Sequence, residues 1–264
     1  MRRETRLMRA HETALIDPAA EIAADVEIGA YTMIGPQVRI GPGTRIGPHV
    51  VITGRTTIGC NNRFFQFSSI GDEPQDKKYA GEETELVIGD DNTVREFCTF
   101  NVGTVQGGGV TRIGNRNWIM AYVHIAHDCI IGNDCILANN ATLGGHVTVG
   151  DWAILSGFAG IHQFVEIGEH AFVSFASHVN QSIPPYVTVS GEKAKAKGVN
   201  TEGLKRRGFS PEQVQNVRRA YRTLYRSGLS LKDAQARLSE MADGAEEIRP
   251  LVEFIGQVDR SIIR

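Results

Sequence analysis

Val26-Glu27-Ile28-Gly29-Ala30-Tyr31-Thr32-Met33-Ile34-Gly35-Pro36-Gln37-Val38-Arg39-Ile40-Gly41 is the stretch that decides the fold. An aliphatic residue returns every six positions, at Ile28, Ile34 and Ile40. Two residues before each stands a β-branched one, Val26, Thr32 and Val38. A spacing of two along a strand puts both side chains on one face. Glycine follows each aliphatic residue, as Gly29, Gly35 and Gly41, and permits the backbone turn that a corner needs.

The step of six extends outward from this stretch. It runs from Ile16 to Ile70 without a polar residue, resumes at Ile88, Val94 and Phe100, and runs again from Ile113 to Val179. Short strand, corner and a period of six describe a hexapeptide parallel β-helix. Three hexads close one triangular coil, so residues 18 apart share a column. Composition agrees: 29 of 264 residues are glycine and only 7% are aromatic, which suits a thin-walled repeat better than a bulky core.

Residues 72–87 and 101–112 break the period. The first carries Asp72-Glu73-Pro74-Gln75-Asp76-Lys77-Lys78-Tyr79-Ala80-Gly81 and the second Gly107-Gly108-Gly109, so both read as loops leaving the coil. The repeat stops near Pro184-Pro185. Beyond it, Ser210-Pro211 is an N-cap followed by proline, and Gly228 stands where a helix ends. Further helices are expected over 231–243 and about 250–262. The expected organisation is an all-β left-handed parallel β-helix over 10–190, left-handed by resemblance as given below, then an α-helical domain over 191–264.

Several function classes are excluded or disfavoured. A net charge of −2 gives no global basicity for nucleic acid. No apolar run is long enough for a membrane span. The charged start Met1-Arg2-Arg3-Glu4-Thr5-Arg6 leads into no apolar signal core. Cys60, Cys98, Cys129 and Cys135 form no CxxC pair and read as reduced thiols, so a cytoplasmic location is expected.

Column arithmetic gathers the candidate chemistry. Ala126, Gly144 and His162 share a column, His127, Gly145 and Gln163 the next, and Asp128, His146 and Phe164 a third. His127, Asp128, Gly144, Gly145, His146 and His162 therefore form one patch on one corner. A lone surface histidine is usually only solvated, but a cluster beside a carboxylate is a candidate reaction site. In one reading His127 is a general base, Asp128 supports its imidazolium and the Gly145 N–H stabilises an oxyanion. In the other, three imidazoles hold zinc. Geometry favours the base and leaves the metal open.

These residues, with Gly103-Thr104-Val105-Gln106-Gly107-Gly108-Gly109, His124-Ile125-Ala126-His127-Asp128-Cys129, Ala138-Asn139-Asn140-Ala141-Thr142-Leu143-Gly144-Gly145-His146 and Gly198-Val199-Asn200-Thr201-Glu202-Gly203-Leu204-Lys205-Arg206-Arg207-Gly208-Phe209, resemble the UDP-N-acetylglucosamine O-acyltransferase family. The resemblance runs from about residue 10 to Arg264. It implies a left-handed coil, against the usual right-handed crossover rule. It implies a homotrimer with sites between subunits, and transfer of an (R)-3-hydroxyacyl group from acyl carrier protein to the 3-hydroxyl of UDP-N-acetylglucosamine, the first step of lipid A biosynthesis. His127 is implied as base, Asp128 as its partner and Gly145 as oxyanion donor. Gln75, Asp76, Lys78, His124, His146, His162, Asn200, Glu202, Arg206 and Arg207 are implied as substrate-binding residues. No metal or cofactor is implied, since the phosphopantetheine thioester of the carrier protein supplies the driving force.

The residues speak to the donor independently. Between Glu192 and Arg226 ten Lys and Arg face three Glu. Such a patch suits an acidic carrier protein and a diphosphate, although a solvated helix face or an RNA surface has the same look. Two positions depart from the family pattern. Asn101-Val102 stands where relatives read His-Arg. Phe175 stands at the acyl-chain ruler, and its bulk predicts a medium donor, about 10 carbons, over a longer one. Phe175 and His127 fall on different corners, which favours a neighbouring subunit completing the groove. A second hexapeptide acyltransferase, a γ-carbonic-anhydrase-like zinc enzyme and a plain structural rod are the alternatives.

Overall fold

The computed structural model describes residues 9–258 and 261–264. The repeat winds as a left-handed parallel β-helix with three faces. The first face is an 11-stranded sheet that begins at Arg9–Ala10 and Glu27–Ile28 and ends with Phe172–Val173, Val187–Ser190 and Lys195–Val199. The second is nine-stranded, from Leu15–Ile16 to His178–Val179. The third is eight-stranded, from Glu21–Ile22 to Glu166–Ile167. Register follows the 18-residue coil, as in His124↔Thr142 and Ile125↔Leu143.

The aliphatic column and the small column both point inward. Ile52, Ile70, Ile119, Ile125, Leu137 and Leu155 are fully buried, and so are Val26, Val38, Val123, Cys129, Cys135 and Ala141. Where the small column is polar, its groups bond along the corner. Asn92 Nδ2 donates to Asn62 Oδ1 at 3.0 Å, and the Asn117 N–H donates to Asn92 Oδ1 at 2.9 Å. Burial of such amides is tolerated because each bond is made.

Corner glycines serve a different purpose from the one expected. At most corners a left-handed residue lies three places after the aliphatic one and is mostly not glycine: Tyr31, Phe67, Asp128, His146 and Phe164 have φ near 60°. Asp and His tolerate that region better than most residues. Gly29 is required for close approach, since a Cβ there would lie 2.5 Å from the carbonyl carbon of Gly47.

The loop boundaries also move. Glu85–Ile88 pairs in parallel with strands on both sides, so the first excursion spans 73–84 instead of 72–87. Asn101 ends one strand and Val110–Ile113 is another, which narrows the second excursion to 102–109. Both strands alternate in and out, and their outward polar side chains hid them.

The C-terminal region does not start helical. Lys195–Val199 folds back antiparallel on Val187–Ser190. Helix α1 spans Thr201–Arg206, α2 Pro211–Arg226, α3 Leu231–Ala242 and α4 Arg249–Gln257. Ser210 caps α2 through a capping box with Gln213. The helix expected to reach 262 ends at Gln257, residues 259–260 lie outside the described residues, and Ile262 instead makes a bridge to Ser182. Tyr221 of α2 and Ile263 join the core of the coil, while Ala220, Leu224, Leu238, Leu251 and Ile255 form a second core among the helices.

Candidate active site

His127 and Asp128 lie on the corner between the second and third faces, directly after the strand His124–Ile125. His127 Nδ1 is 2.7 Å from Asp128 Oδ2. Asp128 is an acceptor, so the Nδ1–H donates and Nε2 carries the free lone pair. The Asp128 side chain is 1% exposed and that of His127 15%, so the carboxylate is sealed while the imidazole keeps access.

The next coil supplies the rest of the corner. His146 Nε2 is 3.7 Å from Asp128 Oδ2, and the His146 ring meets the His127 ring edge-on at 5.1 Å. Phe164, one further coil along, stacks on His146 at 4.3 Å. Gly145 lies so close to His127 that a Cβ would sit 2.5 Å from Cε1. A groove of about 540 Å³ opens beside it, lined among others by Gly144, Gly145, Gly160, His162, Gln163 and His178.

Electrostatics separates the histidines. Burial, and then the charge of His127, hold His124 below its ordinary value of 6.5, and Thr99 Oγ1 lies 2.7 Å from its Nδ1. Burial also lowers His146, against the opposing pull of Asp128 and Asp76. Both are thereby favoured as neutral rings near pH 7. His162 is exposed, and its Nδ1 faces the Gln163 carbonyl at 3.1 Å.

The structure brings His124, His127, Asp128, Gly145, His146 and His162 to one corner, with Asp76 of the first excursion acting on His146. Gln75 and Lys78 are exposed on that same excursion. The remaining expected residues sit elsewhere. Asn200 caps α1 through Gly203 and donates to the His170 carbonyl at 2.9 Å, on the corner between the third and first faces. The Arg207 guanidinium covers Trp152 on that corner at 5.0 Å. Arg206 is exposed beside it, and exposed Glu202 pairs with Lys205 at 3.0 Å. Phe175 is 67% exposed and meets Phe158 edge-on at 5.6 Å, on the corner between the first and second faces.

Among the described residues, no three imidazoles converge as a metal site. Among the described residues the donor atoms that converge are those of His127, Asp128 and His146, within 4.8 Å of one another. Asp128 Oδ2 is already the acceptor for His127 and for the Thr104 hydroxyl at 2.6 Å. This set suits proton transfer better than a metal.

Thr104 and Thr111 escaped the sequence reading. Both lie in or beside the second excursion, whose glycine-rich sequence has no periodic signal. Asn101, one of the two departures, donates through Nδ2 to the Glu73 carbonyl at 2.8 Å and so ties down the start of the first excursion.

Comparison with known proteins settles the kinship. Residues 183–263 match the model described as Udp N-acetylglucosamine O-acyltransferase, domain 2, and residues 19–54 and 111–145 match bacterial transferase hexapeptide repeats. An acyl-carrier-protein–UDP-N-acetylglucosamine O-acyltransferase of Thiobacillus denitrificans is 57% identical over 96% of this chain and 98% of its own. The chain belongs to that acyltransferase family. The Xanthomonas oryzae member is 56% identical over 96% of this chain and 97% of its own. The crystal structure of the Francisella novicida UDP-N-acetylglucosamine acyltransferase, 44% identical, matches with a TM-score of 0.95 over 97% of this chain and 94% of that one. The family's Acinetobacter baumannii structure, 46% identical, gives 0.94 over 98% and 100%. The family's left-handed coil and helical C-terminus are those described above.

Proposed function

We propose that this acyltransferase moves an (R)-3-hydroxyacyl group from acyl carrier protein to the 3-hydroxyl of UDP-N-acetylglucosamine, in the first step of lipid A biosynthesis. The observation that carries the mechanism is the His127–Asp128 pair at 2.7 Å, with the His127 ring packed against Gly145, which lines the groove. His127 Nε2 removes the proton of the sugar 3-hydroxyl as its oxygen attacks the thioester carbonyl. The Gly145 N–H donates to the developing oxyanion. The tetrahedral intermediate then expels the phosphopantetheine sulfur, and the imidazolium returns its proton to that thiolate. Asp128 keeps the imidazole in the correct tautomer and offsets its charge. The thioester provides the driving force, so the reaction takes no metal or cofactor.

His124, His146, His162, Gln75, Asp76 and Lys78 surround the reacting groups in this reading. Asn200, Glu202, Arg206 and Arg207 hold the nucleotide, and Phe175 limits the acyl chain. In one chain these three sets occupy three different corners of the prism. The working unit is therefore a homotrimer, with each site completed by neighbouring subunits. The enzyme works in the cytoplasm, needs no nucleic acid, and meets its acidic carrier protein on the basic surface between Lys193 and Arg226. No helix among the described residues is long and apolar enough to cross a membrane.

The test is acyl transfer by purified protein, with UDP-N-acetylglucosamine and 3-hydroxyacyl carrier proteins of graded length, read by mass. An acylated sugar nucleotide is expected from wild type and none from His127→Ala. Failure with every donor, but success with the 3-amino sugar, would move the acceptor from hydroxyl to amine.

A further inference from the structure

The second excursion, between Asn101 and Val110, closes over Asp128. Its only regular element is a 3-10 turn over Val105–Gly107. Thr104 leads into that turn and gives Asp128 two hydrogen bonds. The Thr104 N–H donates to Oδ1 at 2.8 Å, and the Thr104 hydroxyl donates to Oδ2 at 2.6 Å. Oδ2 is also the oxygen that receives His127. Gly107 packs against the carboxylate so closely that a Cβ would fall 2.0 Å from Cγ. From behind, the Asp128 N–H donates to Thr111 Oγ1 at 2.8 Å. Thr104 is 3% exposed, so water does not compete for these bonds.

A carboxylate with one fixed donor can rotate and present either oxygen. Here each oxygen is assigned, and the geometry of the histidine bond follows. We propose that Thr104 is a positioning residue for the transfer reaction: it fixes the Asp128 carboxylate so that Oδ2 faces His127 Nδ1 and Nε2 faces the groove. The excursion thus serves as the clamp that a six-residue coil has no room to build. The proposal rests on His127 acting as the base.

Other titratable groups face this pair. They are His124 on the preceding strand, His146 from the next coil, Asp76 acting through His146, and the buried thiol of Cys129, pushed up to about 12 by its burial. Thr104 carries no charge, so its removal leaves their charges in place. Without its hydroxyl, Oδ2 has one donor fewer and its charge leans more on the imidazolium. The orientation of His127 then loosens.

The experiment compares wild type, Thr104→Val and Thr104→Ser. It measures kcat and KM for acyl transfer, and the His127 Nδ1–H proton resonance by NMR. Thr104→Val is expected to lose roughly 10- to 100-fold in kcat, the size of one bond to a charged group, with KM unchanged. The Nδ1–H resonance is expected to move and broaden as the bond to Oδ2 loosens, and Thr104→Ser to restore both. A Thr104→Val enzyme with wild-type kcat and resonance overturns the proposal, as does a loss confined to KM or one that serine fails to rescue. A displaced resonance in a protein that transfers no acyl group keeps the clamp and removes the functional reading beneath it.

Discussion

The backbone of Gly145 lies against the imidazole of His127, so that a Cβ on it would be 2.5 Å from Cε1 and 2.7 Å from Nε2. Base and proposed oxyanion donor thus come from consecutive coils, one strand spacing apart. Gly145→Ala is expected to push the ring out of line and reduce kcat by about 100-fold, on the scale of losing one oxyanion donor. Thermal melting checks that the coil itself survives. An alanine variant with full activity would remove Gly145 from the mechanism.

Phe175 is expected to set donor length. Its ring stands exposed and close to Gly157, where a Cβ would come within 3.1 Å of it. Wild type should favour donors of about 10 carbons, and Phe175→Gly should shift the preference to longer chains, each methylene being worth about 1 kcal/mol or more. Competition among donors of mixed length, read by mass, gives the answer. An unchanged profile in the glycine variant means that the ring swings aside.

Separate corners make a complementation experiment decisive. His127→Ala and Arg207→Ala chains should each be inactive alone. Co-expressed, they should recover a fraction of wild-type activity, because some interfaces then pair an intact His127 with an intact Arg207. No recovery in verified mixed trimers would place both residues within one chain's site.

Stability should depend on pH through His170. This ring is buried among Trp152, Tyr186 and Phe209, and burial, with Arg207 adding to it, pushes its pKa down to about 4 from 6.5. The folded value lies below the unfolded one, so between those limits the unfolded chain binds the extra proton. This contribution is complete above about pH 6.5, declines as pH falls, and is fully lost near pH 4. Melting temperature should fall across that window, and less steeply for His170→Gln. Parallel curves for the two proteins would refute the assignment.

Much of this was legible in the sequence because the signal was periodic. Ile28, Ile34 and Ile40 fix a face every six residues, and the same arithmetic placed His127 beside Gly145 and Asp128 beside His146. What escaped was not periodic. Glu85–Ile88 and Val110–Ile113 hide strands within polar stretches. Lys195–Val199 carries basic residues on an edge strand, where solvent takes the alternate side chains. Thr104 reaches Asp128 from 24 residues away through an excursion of no fixed spacing. Asn117 continues a polar run of its column, after Thr44, Asn62 and Asn92, and its bonds show only once the coil is closed: its N–H donates to Asn92 Oδ1, its Nδ2 to the Gly132 carbonyl, and its Oδ1 accepts from the Cys135 N–H.

The antiparallel strand Lys195–Val199 has a consequence for solubility. A parallel β-helix is a template at its last turn, because that turn presents open backbone groups in the geometry that would accept another. Here the final strand of the first face runs the wrong way for a further coil, and beyond it Tyr221 of α2 and Ile263 sit in the core of the coil. On the first face, a neighbouring molecule arriving at this end finds no parallel edge to extend. The C-terminal region thereby acts as a stop against end-to-end fibres, and its removal would expose a growing face.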